Sequence, residues 1–275
     1  MKNLNFSIKL IGLCILLLSC DKKEPLKEPT VSIIVSNNGK VLTDEKFTIT
    51  AQIIDNSSEV SSVDLYINNS YVETLFSNPF VFNLKYNDIS IGKHDINVII
   101  TLDNGQKLTS SGSFDFDIAE GLFYQGGIIV EINDDGKSGL IISSELLPGN
   151  GTRSGYIYGS KNRMYLANDE DNGLLNSNKL ISGSEISPSA NACLQYRGGG
   201  YNDWYMPAAN ELIKASRFSH KLGITEETDS RLSTCWSSTE MERSYDYAYH
   251  VDLKNGERYY SNKNNIYSVV AVREF

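Results

Sequence analysis

Apolar residues recur along this chain with three different spacings. Near the start, a continuous apolar run from Leu10 to Leu18 follows Lys2 and Lys9. From Thr30 to about Ile118 the pattern alternates. Phe47, Ile49, Ala51 and Ile53 share one parity, as do Val63, Leu65 and Ile67; Phe80, Phe82 and Leu84; and Ile96, Val98 and Ile100. Period-two alternation predicts strands with one buried and one wet face. Asn37-Asn38-Gly39, Asn56-Ser57-Ser58, Asn68-Asn69 and Asp103-Asn104-Gly105 supply the turns between them. About seven strands in roughly ninety residues predict an antiparallel β-sandwich.

From Ala119 to Phe275 the texture is mixed. Phe123 to Ile132 reads as a buried strand entered through Gly126-Gly127, and Asn133-Asp134-Asp135-Gly136 as a hairpin turn into Gly139-Leu140-Ile141-Ile142. Two helices follow. Ser187 and Pro188 open the first, Ala190, Cys193 and Leu194 form its apolar stripe, and Gly198 ends it. The second starts near Pro207, carries Leu212, Ala215 and Ser216 on one side, and stops by Gly223. From Cys235-Trp236-Ser237-Ser238-Thr239-Glu240 onward, strands run to the C terminus. The expectation is a mostly β chain: a sandwich over 30–118, then an α+β domain with two helices over 119–275.

The leading run has the charged, apolar, small-residue plan of a secretory signal and is short for a bilayer span. Leu17-Leu18-Ser19-Cys20 resembles the lipobox of bacterial lipoproteins. That resemblance implies cleavage of a signal peptide, 1–19, and palmitate-type acylation of Cys20. Several acyl chains anchor firmly, because each buried CH₂ contributes about 0.8 kcal/mol. Residues 20–29, charged and punctuated by Pro25 and Pro29, read as a solvated tether. Acidic residues after the lipidated cysteine resemble surface-export signals of some Gram-negative lineages. The expected location is the outer membrane, facing outward.

Composition sharpens this picture in three ways. The chain has 275 residues, a net charge of −9 and a pI near 4.9; the charge becomes −11 once Lys2 and Lys9 leave with the signal. Such a chain lacks the basic footprint that nucleic acid requires. Twenty-one glycines against six prolines, with sixteen tyrosines, suit turn-rich β structure. Of four cysteines, Cys14 leaves and Cys20 is lipidated, so Cys193 and Cys235 remain, expected as buried free thiols rather than a bridge.

Asp55, Val60, the run Val63 to Asn68, Pro79-Phe80, Gly92-Lys93-His94 and Asp103-Asn104-Gly105 together resemble bacterial immunoglobulin-like domains. No charged or aromatic cluster marks the loops, so a spacer role is expected there. In the second part, Gly199-Gly200-Tyr201-Asn202-Asp203-Trp204 continues to Pro207 and Asn210-Glu211-Leu212; Trp236 to Glu240 and Val272-Arg273 follow. This order resembles the domain family at the C terminus of the bacterial collagen-like adhesin Lcl. The resemblance implies a C-type-lectin-like fold related to formylglycine-generating enzymes. Cys235 stands where an aromatic residue is usual in that family, and Ala271 where many members carry a second cysteine, so the common helix-to-last-strand disulfide is absent.

No catalytic residue, metal ligand or cofactor is assigned. His94, His220 and His250 have no catalytic partner nearby in sequence, and no nucleophile elbow is present. Asp169-Glu170-Asp171-Asn172-Gly173 clusters oxygen ligands but lacks the loop and distal Glu of a calcium site. Asp203, Trp204 and Glu211 read as a turn ligand, a core residue and a carboxylate favoured at a helix N terminus. The function expected is recognition of an extracellular glycan or protein without catalysis. A structural subunit of an envelope assembly and a formylglycine-generating-type enzyme are the alternatives.

The densest candidate surface is Arg243 to Tyr267, rich in Tyr, Asn, Ser and Asp as antibody paratopes are. It also resembles the hypervariable regions that diversity-generating retroelements create on this fold. If Val251 and Leu253 point inward, Tyr247 and Tyr249 do too, leaving His250 and Asp252 outward. Tyr245, His250, Asp252, Tyr259, Tyr260, Asn262, Asn264, Asn265 and Tyr267 are therefore the expected ligand contacts.

Overall fold

The computed structural model describes residues 30–42, 46–54, 59–84, 89–149 and 155–275. The signal peptide, Cys20, the tether and the turn expected at Asn56-Ser57-Ser58 lie outside the described residues.

Among the described residues, the N-terminal part is a two-sheet sandwich of eight strands. β1 (Thr30–Val35), β3 (Phe47–Ile54) and β6 (Val81–Leu84) form one sheet in the order β1-β3-β6. The other runs β2-β8-β7-β4-β5, from β2 (Lys40–Leu42), β4 (Val60–Ile67), β5 (Ser70–Leu75), β7 (Gly92–Leu102) and β8 (Lys107–Asp117). The alternating residues do what their parity requires. Phe47, Ile49, Ala51 and Phe82 are buried from one sheet, and Val63, Leu65, Ile96, Val98 and Ile100 from the other. Phe47 meets Phe114 of β8 with ring centres 5.2 Å apart. Asn68 and Asn69 both adopt positive φ (50° and 65°), the backbone a tight β4–β5 hairpin needs. One departure from a wholly antiparallel sandwich is the parallel pairing of β2 with β8. A 3₁₀ turn at Ser36–Gly39 separates β1 from β2, which belong to different sheets.

The C-terminal part is α+β. β9 (Phe123–Tyr124), β10 (Gly127–Ile132) and β11 (Gly139–Ser143) join the last strand, β17 (Val272–Glu274), in the order β17-β11-β10-β9. The chain end thus pairs with the start of the unit and closes it. A second sheet, β13-β14-β15, contains β13 (Thr234–Glu240), β14 (Tyr247–Asp252) and β15 (Glu257–Asn262). β12 (Tyr156–Ile157) and β16 (Ile266–Tyr267) form a short ladder beside it.

Among the described residues there are four α-helices: α1 (Gly173–Leu180), α2 (Pro188–Gln195), α3 (Ala209–Ser216) and the single turn α4 (Ser230–Ser233). Two had been expected. α2 starts as predicted, with Ser187 Oγ accepting the Ala190 N–H at 3.2 Å and Ala190 and Cys193 buried. α3 buries Leu212 and Ala215 but stops at Ser216; a 3₁₀ turn then leads to Gly223, in the left-handed conformation with φ 74°. α1 escaped the sequence reading because its inward face is polar. Asn176, Ser177 and Leu180 are buried, while Leu174 and Leu175 are exposed. No apolar stripe exists to be read; Asn172 caps the helix instead, accepting the Leu175 N–H at 2.8 Å.

Cys193 and Cys235 are buried free thiols, and burial pushes both far above the ordinary thiol range. Asp203 is not only a turn residue. It forms a two-pronged ion pair with Arg273 of β17 (2.7 and 3.0 Å), which holds its carboxyl below the usual range. Glu211 accepts the Ala208 N–H at 2.7 Å and the Tyr205 hydroxyl at 3.0 Å. Its burial raises it to about 7 despite those bonds.

Candidate ligand-binding face

The expected contacts lie on β14, β15 and the turns around them, and strand register sorts them. His250 faces Trp236 on one side and Tyr259 on the other, whereas Tyr249 faces Tyr260 and Tyr247 faces Asn262. Directly paired residues share a face of the sheet and consecutive residues take opposite ones. Tyr259 and Tyr260 therefore point to opposite sides of β15, although they are 47% and 57% exposed. One ligand-contact face cannot use both.

His250 is not outward, as the sequence led us to expect; it is only 7% exposed. The parity argument assumed one wet face, but β14 is the middle strand and both its faces are covered. Val251 is buried on one side; Ala248 and His250 are buried on the other. Tyr247, expected inward, is 40% exposed, and Tyr249 is half-buried beneath the Arg258 guanidinium, 4.7 Å from its ring centre. Asp252 is half-buried and occupied: it accepts the Ser233 hydroxyl at 2.8 Å and the Lys254 N–H at 3.0 Å.

On the His250 side the rings form a ladder from core to surface. Trp236, fully buried, meets Tyr267 at 4.8 Å and His250 at 5.7 Å between centres; Tyr259 stacks on His250 at 5.9 Å. The Trp236 indole donates to the Tyr156 carbonyl at 3.0 Å. A polar chain runs beside the rings, from His250 Nε2 to Ser261 Oγ to the Tyr267 hydroxyl, each 3.0 Å apart. Burial pushes the imidazole down to about 4, so it is neutral at physiological pH.

The turn after β15 continues this surface. Exposed Asn264 and Asn265, Ile266 and Tyr267 form one wall of a cleft of about 670 Å³, and Asp229, Arg231 and Leu232 at α4 form the other. Asp229 and Arg231 neutralise each other through a two-pronged pair. α4 carried no periodic signal, so the sequence did not show this second wall.

Beneath the turn lies its fastening. Lys263, with no exposed surface, donates to Glu240 Oε1 (2.6 Å) and to the carbonyls of Arg163 (2.6 Å) and Tyr245 (2.8 Å). Glu240 in turn accepts the N–H groups of Tyr165 (2.9 Å) and Ala167 (3.3 Å). This clasp gathers the loop bearing exposed Tyr245, the β15–β16 turn and the 163–167 segment around the end of β13. Asn262 is half-buried at the end of β15, paired with Tyr247.

The acidic turn read as a weak cation candidate is already used internally. Asp169 accepts the Asp171 and Asn172 N–H groups, Asp171 accepts the Asn210 amide, and Glu170 pairs with Arg258 at 2.9 Å. His94 is partnered within the sandwich, lying between the Asn68 amide (2.9 Å) and the Ser90 carbonyl (2.5 Å).

A β-sandwich followed by an α+β unit with an exposed aromatic face defines a two-part β protein. Within it, residues 29–98 match the model of a bacterial Ig domain and residues 166–273 that of the Lcl C-terminal domain, and the chain carries the two in that order. A search of curated proteins found no match. Solved structures give distant likenesses. Fibronectin(III)-like modules of Clostridium thermocellum CbhA are 21% identical over 33% of this chain and all of theirs, with a TM-score of 0.28. Carbohydrate-binding modules of the β-sandwich superfamily are 15% identical over 44% of this chain and 50% of theirs (TM-score 0.30). The Bacteroides ovatus mixed-linkage glucan utilisation locus protein SGBP-B is 12% identical over 51% of this chain and 38% of its own (TM-score 0.27). The chain spans half or less of the last two.

Proposed function

We propose that the chain is a lipid-anchored surface protein of the outer membrane that recognises an extracellular glycan or protein through its C-terminal domain, 119–275, without catalysis. The sandwich, 30–118, is its stalk. The observation that carries this reading is the ring ladder that starts on fully buried Trp236 and reaches exposed Tyr259 on one branch and Tyr267, beside the Asn264-Asn265 turn, on the other. A ring held from below offers rigid contact area at low entropy cost, and flanking amides offer adaptable hydrogen bonds. A sugar fits such a surface well: its C–H face stacks on an aromatic ring while its hydroxyls reach the amides. The non-catalytic reading is supported by the thiols, since cysteine chemistry needs an accessible thiolate and both Cys193 and Cys235 are buried.

Glycan and protein arrays probed with the purified chain identify the ligand class. Against a ligand so found, the change Tyr259→Ala with Asn264→Ala should weaken binding at least tenfold, while Tyr260→Ala changes it less than twofold and all melting curves coincide. If only Tyr260→Ala weakened binding, the opposite face of β15 would be the site. If neither did, recognition would lie elsewhere. The anchor has its own test: cells expressing the chain should incorporate labelled palmitate into it, and Cys20→Ala should abolish the label. Persistent labelling of that variant would end the lipoprotein reading.

A further inference from the structure

A second cleft, of about 620 Å³, lies where the sandwich meets the C-terminal unit. Its aromatic walls are Phe123, Tyr196 and Tyr201; Gln125 and Ser144 add polar groups, and Ser90 closes it from the sandwich side. None of these belongs to the ring ladder.

The cleft is built rigidly. Gly126 (φ 90°) and Gly199 (φ 64°) press two turns together backbone to backbone. A Cβ on Gly126 would sit 2.3 Å from the Gly199 nitrogen, and one on Gly199 would sit 2.8 Å from the Gln125 carbonyl oxygen. Gln125, the residue before Gly126, is itself held at φ 46°. Non-glycine residues held at such positive φ concentrate at ligand clamps. Arg273 secures the arrangement. It donates to Gln125 Oε1 at 2.5 Å, pairs with Asp203, and lies 3.9 Å from the centre of the Tyr201 ring. Tyr196 is fixed in turn by an edge contact with Trp204, ring centres 4.9 Å apart. The walls are therefore in place before any ligand arrives, which lowers the entropic cost of binding.

The lining also defines the ligand. No Lys, Arg, Asp or Glu side chain lines this cleft; it offers rings, hydroxyls and an amide. Its volume falls within the range of about 300–1,000 Å³ usual for small-ligand sites. The Arg273 guanidinium behind the wall is neutralised by Asp203, so an anion or cation would lose its hydration there without a free charged partner. A neutral pyranose would not: its C–H faces suit the tyrosine rings and its hydroxyls suit Gln125, Ser144 and Ser90. The geometry points to a binding site for an uncharged saccharide at the junction of the two domains, separate from the Tyr259 face.

Calorimetric titration of the full chain with cellotetraose, maltotetraose, xylotetraose and mannotetraose tests this, with tetragalacturonate as the charged counterpart. At least one neutral tetrasaccharide should bind, and tetragalacturonate should not compete for its site. Ser144→Trp and Ser90→Trp, both at exposed positions, fill the cleft from opposite sides. Each should weaken that binding at least tenfold, whereas Tyr260→Ala, on the opposite side of β15 from the ring ladder, should leave it unchanged. The proposal is overturned if none of the neutral tetrasaccharides binds, or if binding survives both tryptophan variants. Loss in Tyr259→Ala with retention in Ser144→Trp would place the sugar on the C-terminal face instead, overturning this site while supporting that one.

Discussion

Lys263→Met should lower the stability of the C-terminal domain by about 3–5 kcal/mol, the usual cost of removing one partner from a buried ion pair. The size follows from what is left behind. Glu240, 2% exposed, would be left without its counter-ion, and the carbonyls of Arg163 and Tyr245 would lose their donor. Replacing both members by apolar residues often recovers such a loss. Here it should not, because the Tyr165 and Ala167 N–H groups depend on the Glu240 carboxylate. Urea unfolding of Lys263→Met and of the double variant Glu240→Met/Lys263→Met should show both well below the parent. A double variant that regained the parent's midpoint would show that the clasp contributes nothing beyond charge pairing.

Trp236→Ala should cost a similar amount, about 3–5 kcal/mol, as large-to-small changes of buried aromatic residues do. The indole is fully buried, touches the rings of Tyr158, His250 and Tyr267, and satisfies the Tyr156 carbonyl. Trp236→Phe should cost less, since it keeps ring contacts and loses chiefly the bond to Tyr156. The two variants should also separate in function: Ala removes the support beneath His250 and Tyr267, so ligand affinity should fall even at temperatures where the domain is folded. Thermal melts paired with titrations would show this; parent affinity in folded Trp236→Ala would detach the ladder from recognition.

How much of this could be read from the chain alone varies with its physical cause. The sandwich strands were legible because each has one wet face, so Phe47, Ile49 and Ala51 alternate with polar neighbours. β14 was misread for the converse reason: covered on both faces, it buries His250 as well as Val251. α1 was invisible because Asn176 and Ser177 make its inward side, satisfied by hydrogen bonds that leave no mark in hydropathy. Lys263 sits in Asn262-Lys263-Asn264-Asn265, which reads as a solvated turn. Its partner Glu240 comes from another strand, and nothing local announces the pairing. Composition put Tyr259 and Tyr267 on the candidate surface, but composition cannot say which residues share a face, and the Arg231–Leu232 wall has no sequence signature at all.

The clasp has a consequence for how this surface can change over generations. Apart from Glu240 itself, Lys263 binds main-chain oxygens, those of Arg163 and Tyr245, and Glu240 receives main-chain N–H groups from Tyr165 and Ala167. These bonds are indifferent to which side chain stands at position 245, and the exposed side chains of Asn264 and Asn265 play no part in them. On the recognition face proposed above, replacements at such positions would change the available contacts while the loops that carry them stay fastened. A lineage could therefore exchange one ligand for another by single substitutions, without passing through unfolded intermediates.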